Sequence, residues 1–175
     1  MSRWDPLFGR RPLTHFLDVR LDEARAAISK LPRGDLNAEK ILAVRARARP
    51  VPLTLGQQKL DVVDASPMPR LRLEISVAGD SELWWTTPSK TASAVPDAEV
   101  IGNVLVFDQP LEPSFTAPSI KRWQEENLER LERWVGWVNE DLVTFEVRLG
   151  QEIERAVTAR REVLDRLENL RRELA

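Results

Sequence analysis

The chain has no cysteine and no tyrosine, and one histidine, His15, among its 175 residues. Absence of cysteine excludes disulfides, thiolate nucleophiles and cysteine-ligated metals, and fits a cytoplasmic protein. A single histidine excludes a histidine-rich metal site. No apolar run approaches the roughly 18 residues that a membrane span needs. The opening Met1-Ser2-Arg3-Trp4-Asp5-Pro6 lacks the apolar core of a signal peptide. There is also no phosphate-binding loop, no Gly-x-Gly-x-x-Gly and no Gly-x-Ser-x-Gly. Charge of one sign is missing as well: the net charge of -2 gives no global attraction to nucleic acid or anionic lipid and leaves room only for a local basic patch.

What is present indicates a folded domain. Apolar residues make up 42% and charged residues 31%, which separates the chain from disordered sequences. The length suits one domain over 1–175, with an arm and helices over 1–49, strands over 50–112 and a long helical segment over 119–175.

The strongest pattern is in the last third. Leu128, Leu131, Val135, Val138, Leu142, Phe145 and Leu149 recur in a three-four rhythm, which is a helical seam. One helix from Ser119 to the last residue would be about 85 Å long at ~1.5 Å per residue, so it either projects or folds back. The seam changes phase after Leu149, through Ile153 and Val157 to Leu164, Leu167 and Leu174. A glycine costs a helix ~1 kcal/mol, which makes Gly150 the favoured bend or hairpin point and Gly136 the second.

Upstream, residues 1–13 read as an irregular arm that docks by its aromatics, Trp4 and Phe8. Thr14 is placed to cap a helix with the stripe Leu17, Leu21, Ala24, Ile28 and Leu31, stopped by Pro32 and Gly34. Asn37 is placed to cap a second helix. Its end is ambiguous, because Val44-Arg45-Ala46-Arg47-Ala48-Arg49 fits helix or alternating strand up to Pro50. Leu60–Val63 and Val104–Phe107 read as strands. Leu71–Val77 alternates strictly, with its odd positions facing a core, and Leu83–Thr87 is its expected hairpin partner. The order of elements predicts an α+β fold: a small antiparallel sheet packed by N-terminal helices and a long C-terminal helical hairpin or coiled-coil-like helix.

Chemistry is sparse. No serine or carboxylate is placed beside His15 by a recognised motif, so a local role at the start of a helix is its expected use. A metal-dependent nuclease needs only acids and a lysine. Asp64 and then Glu74 approach that arrangement, but Ser76 stands where the lysine belongs, and Pro96-Asp97-Ala98-Glu99 has the same defect. Arg45, Arg47 and Arg49, with Arg70 and Arg72, are candidates for gripping phosphates, although no aromatic residues interleave with them. The six tryptophans are many for this size. Trp84, Trp85, Trp134 and Trp137, together with Leu164 and Leu167, are the candidate partner-binding residues, with core packing as the ordinary use of each tryptophan.

Gly79-Asp80, Leu83-Trp84, Pro88-Ser89, Pro96 and Val100-x-Gly102-Asn103-x-Leu105 lead into Trp137-Val138-Asn139, Val143-x-Phe145, Leu149, Ala156 and Arg160-Arg161. Over residues 75–165 this resembles an uncharacterised accessory segment of bacterial proteins associated with nuclease-like or signalling effector domains. Glu146 departs from the asparagine such segments often carry. The resemblance implies an accessory or sensing module and brings no catalytic residue. The expectation is a non-catalytic interaction or oligomerisation module without a cofactor, meeting a protein partner or a second copy of itself and no membrane. The alternatives are a nucleic-acid-binding accessory protein and, more remotely, a divalent-metal nuclease.

Overall fold

The computed structural model describes residues 7–65, 67–91 and 94–174. Its elements are β1 (Arg11–Pro12), α1 (Leu13–Ser29), a 3-10 turn (Arg33–Asp35), α2 (Ala38–Ala48), β2 (Thr54–Val63), β3 (Arg70–Ala78), a second 3-10 turn (Ser81–Trp85), β4 (Thr86–Thr87), β5 (Glu99–Ile101), β6 (Val104–Pro110) and α3 (Ala117–Glu173). This is the α+β fold that the element order predicts. The described residues form two compact units, one within 7–14 and 51–141 and the other within 15–50 and 142–174.

In the first unit four antiparallel strands run in the order β2-β3-β6-β5. The alternation of β3 holds from Leu71 to Ile75, where Leu71, Leu73 and Ile75 are buried opposite Gln109, Phe107 and Leu105 of β6, and Val77 at its end is half-buried. Leu131, Trp134, Val135 and Val138 of α3 are the helical part of this unit's core. The N-terminal arm docks by an aromatic as expected. Phe8 is fully buried, stacks on Trp134 at 5.4 Å between ring centroids and lies tilted against Trp84 at 5.7 Å. Its amide donates to the Trp84 carbonyl at 2.6 Å, and the arm continues as β1, parallel to β4. Trp4 lies outside the described residues.

Leu83–Thr87 is not the hairpin partner of β3. Gly79 has φ +114°, and a Cβ there would sit 2.4 Å from the Pro52 carbonyl oxygen, so only glycine fits this turn. The Asp80 side chain then accepts from the Glu82 amide at 3.2 Å and starts a 3-10 turn in place of a strand. The true neighbours of β3 are β2 and β6. The short strand β5 has no counterpart among the strands expected from the sequence; Gly102, with φ +60°, makes its two-residue loop to β6 possible.

In the second unit α1 and α2 pack on residues 142–173 of α3. Leu17, Leu21, Ala24 and Ile28 are buried as the stripe predicts, and so are Phe16 and, from α3, Leu142, Phe145, Leu149, Ile153 and Val157. Thr14 is not the cap: α1 begins one residue earlier, at Leu13. Asn37 does cap α2, its side chain accepting from the Lys40 amide at 3.0 Å. The ambiguous run resolves as helix through Ala48, with Pro50 beyond it. The expected bend at Gly150 is also corrected, because α3 is one helix of 57 residues through both glycines. Leu149, Ile153 and Val157 stay buried across that point, and the Arg45 guanidinium occupies the space beside the glycine, so packing outweighs the ~1 kcal/mol propensity cost. Pro118 stands in the first turn of α3, where its missing amide costs nothing.

Candidate docking surface

The surface begins where the cover over α3 ends. Leu149, Ile153 and Val157 are interior, but Val163, Leu167, Leu170 and Leu174 are 46%, 44%, 47% and 88% exposed. Their spacing of four, three and four residues sets them within ~60° of arc at ~100° per residue. Leu164, Asp165 and Glu168 lie ~100–200° round the helix from Val163. That other side is held by Arg33, which pairs with Asp165 and Glu168, and at the border of the stripe Arg160, ~60° from Val163, donates through Nε to the Leu31 carbonyl at 2.9 Å. The leucine stripe therefore faces away from the chain that follows α1.

Toward the N-terminus the same stripe continues through Ala159 and Ala156 into an open groove of about 430 Å³ beside Arg25 and Ser29 of α1. Small residues on α3 make the groove, since a leucine at either alanine would fill it. An ion-pair cluster lines one side. Arg25 donates to Glu152 Oε2 from Nη2 at 2.6 Å and from Nε at 3.2 Å, and Arg155 reaches Glu152 Oε1 at 2.8 Å. The bond from Arg25 holds the Glu152 carboxyl below the usual glutamate range, and the Arg25 guanidinium is pushed up by Glu152 first and also by Asp22. Both groups are charged at neutral pH. They are suited to fixing orientation and unsuited to proton transfer.

The residues singled out from sequence have different fates. Leu167 lies in the stripe, whereas Leu164 is half-buried on the held side. Trp84 and Trp134 are interior, at 2% and 1% exposure, and offer no surface to a partner. Trp137 is half-buried edge-on to Trp134 at 5.5 Å, and Trp85 is half-buried under the Arg10 guanidinium at 4.3 Å. Arg45 and Arg49 converge on Glu146 with Arg45 Nη2 at 2.7 Å and Arg49 Nε at 3.1 Å. Arg47 lies ~160° round α2 from that pair, beside a groove with Lys30 and Lys40. The three arginines therefore share no face. Arg70 and Arg72 both pair with Asp108, at 2.9 and 3.5 Å.

Asp64 and Glu74 are not brought together. Glu74 lies opposite Lys59 in the sheet, five residues along β2 from Asp64, or ~17 Å at ~3.4 Å per residue. Among the described residues no group of three or more His, Cys, Asp or Glu side chains is placed to hold a metal ion. His15 is exposed near the start of α1. Among the described residues no helix is long and apolar enough to cross a membrane. Sequence reasoning missed Val163 and Leu170, which the four-three-four spacing from Val163 to Leu174 could have found, and it gave Ala156 and Ala159 no place in a surface. Comparison with protein-family models, curated proteins and solved structures returns no match for this chain.

Proposed function

We propose that this chain is a non-catalytic protein–protein interaction module that contacts its partner through the groove and leucine stripe of α3. One observation carries the reading: beside the seam that is buried up to Val157, a second face of the helix, formed by Val163, Leu167, Leu170 and Leu174, is apolar and exposed over the last turns. Contiguous exposed apolar surface of this kind marks an interaction site.

The partner that suits it is a second copy of the same helix end. With Leu167 and Leu174 at one seam position and Val163 and Leu170 at the other, Arg166, Arg171 and Glu173 flank the seam. A parallel pair sets Arg166 against Arg171. An antiparallel pair sets Arg166 near Glu173, so the charges select the antiparallel arrangement. The resemblance of residues 75–165 to accessory segments of bacterial effector systems agrees with a module that recruits or assembles.

Light scattering tests this reading with wild type and a Leu167→Glu/Leu170→Glu variant at equal concentration. Both positions are exposed, so the variant keeps its fold, which circular dichroism checks. The expected result is a lower mass for the variant. Equal masses across the concentration range reject it.

A further inference from the structure

Strand β2 (Thr54–Val63) is the edge of the four-stranded sheet, with β3 on one side of it. Leu60 and Val62 lie opposite Leu73 and Leu71 of β3 and so share the sheet's apolar face, yet they are 36% and 52% exposed. The Val62 amide bonds to the Asp61 side chain at 2.9 Å, and the Gln57 carbonyl accepts from Ser76 Oγ of β3 at 3.2 Å. Because backbone groups alternate in direction along a strand, the even-numbered residues of β2 present theirs to the free edge.

We infer that β2 pairs antiparallel with β2 of a second copy, about a two-fold axis at Leu60. Two features bear on that axis. The first is charge. With Leu60 opposite Leu60, Lys59 of each copy lies opposite Asp61 of the other, and Gln58 opposite Val62. Moving the axis by one residue sets Lys59 on Lys59 or Asp61 on Asp61, and like charges directly opposite are destabilising. The second is length. The ladder with β3 is regular from Gln58 to Val63 and is interrupted between Leu55 and Gln58. With the axis at Leu60 the paired residues 58–62 lie wholly within that regular stretch, so both copies pair over regular strand.

Charged residues and irregular ladders ordinarily protect an edge from pairing. Here the charges complement themselves across a two-fold axis, which turns the protection into register selection. The pair would be one eight-stranded sheet, two copies of the four-stranded one, with the Leu60 and Val62 side chains of both copies forming one apolar strip. This contact is separate from the α3 stripe and does not depend on it.

The absence of native cysteine makes the test direct. Directly opposite residues in an antiparallel pair have Cα atoms about 4.5–5.5 Å apart, within the disulfide range. Leu60→Cys is made in the Leu167→Glu/Leu170→Glu background, so that α3 does not bring copies together, and is oxidised mildly at low concentration. It is expected to form a disulfide dimer faster than an exposed control on α2, Glu39→Cys. A mixture of Lys59→Cys and Asp61→Cys chains is expected to cross-link more than either alone. In sedimentation of the same background, Lys59→Asp is expected to raise the dimer dissociation constant by about tenfold, with Asp61→Lys added to it restoring the pair. All three positions on β2 are exposed and tolerate these changes. Leu60→Cys cross-linking no faster than Glu39→Cys, or a failure of the charge swap to rescue, overturns the inference. Loss of the mass difference at α3 with Leu60→Cys cross-linking intact would reject the α3 reading alone.

Discussion

Replacing Gly150 with proline, and separately with alanine, asks whether α3 is continuous there. Residue 150 lies inside a helix that runs from Ala117 to Glu173. A methyl group added to Gly150 would meet Arg45 Nη2 at 3.6 Å and Cζ at 3.8 Å, which are ordinary contacts. Alanine therefore keeps the Arg45–Glu146 pair and gains about 0.8–1 kcal/mol of helix propensity. Gly136→Ala, where nothing lies within 4 Å, is the reference for propensity alone. Proline at 150 removes an amide donor and drives its ring against the Glu146 carbonyl. Relative to alanine it costs about 3 kcal/mol or more. At ~2–4 °C per kcal/mol for a chain of this length, the two variants should differ in Tm by about 6–12 °C. Urea unfolding followed by far-ultraviolet circular dichroism measures the same gap. A turn at Gly150 gives the reverse order: alanine harmful and proline tolerated. That order would refute the continuous helix and, with it, the account of the exposed stripe.

Asn139 spans both backbone groups of Leu53, accepting from its amide at 2.9 Å and donating to its carbonyl at 2.8 Å. Asn139→Ala leaves those two groups at a buried residue without partners and should cost about 1–3 kcal/mol in denaturant unfolding; a change below ~0.5 kcal/mol would show that water replaces the side chain. Because Arg25 lowers the folded-state pKa of Glu152, the pair's contribution is complete above the ordinary glutamate value of about 4.3 and is lost as pH falls through the lower folded value. The advantage of wild type over Glu152→Gln should therefore be constant above about pH 5 and shrink below pH ~4; an advantage that grows on acidification contradicts the sign. Leu167→Glu/Leu170→Glu should lower the mass in light scattering without changing helix content, and Leu164→Glu, on the held side near Arg33, should instead lower stability.

How much was legible in advance depended on range. The three-four seam from Leu128 to Leu149 and the strict alternation from Leu71 to Ile75 are local periodicities, and each set the type and buried face of its element. Asn37 worked as a cap because capping is satisfied within three residues. The same logic failed where a distant residue decided. Leu83–Thr87 has the composition of a strand, but Gly79 against Pro52 and the Asp80 side chain turn Leu83–Trp85 into part of a 3-10 turn and leave only Thr86–Thr87 as strand. Gly150 reads locally as a break, but buried neighbours on both sides and Arg45 beside it hold the helix straight. Tryptophans that look like anchors by type are interior because an arm far from both in sequence lays Phe8 against Trp84 and Trp134.

By itself the sequence determined the class of fold, the periods of its helices and strands, and the shortage of nucleophiles and metal ligands. Those properties follow from residue type and near-neighbour spacing. Only the tertiary structure decided which part of each apolar face stays uncovered. The apolar residues of α3 change face after Leu149, and α1 and the chain after it cover the face of Ile153 and Val157 while leaving that of Val163, Leu167, Leu170 and Leu174 open. Likewise the edge position of β2 is a property of strand order, which no local pattern encodes. Exposure depends on what packs opposite a residue, and that is settled by contacts between segments far apart in the chain.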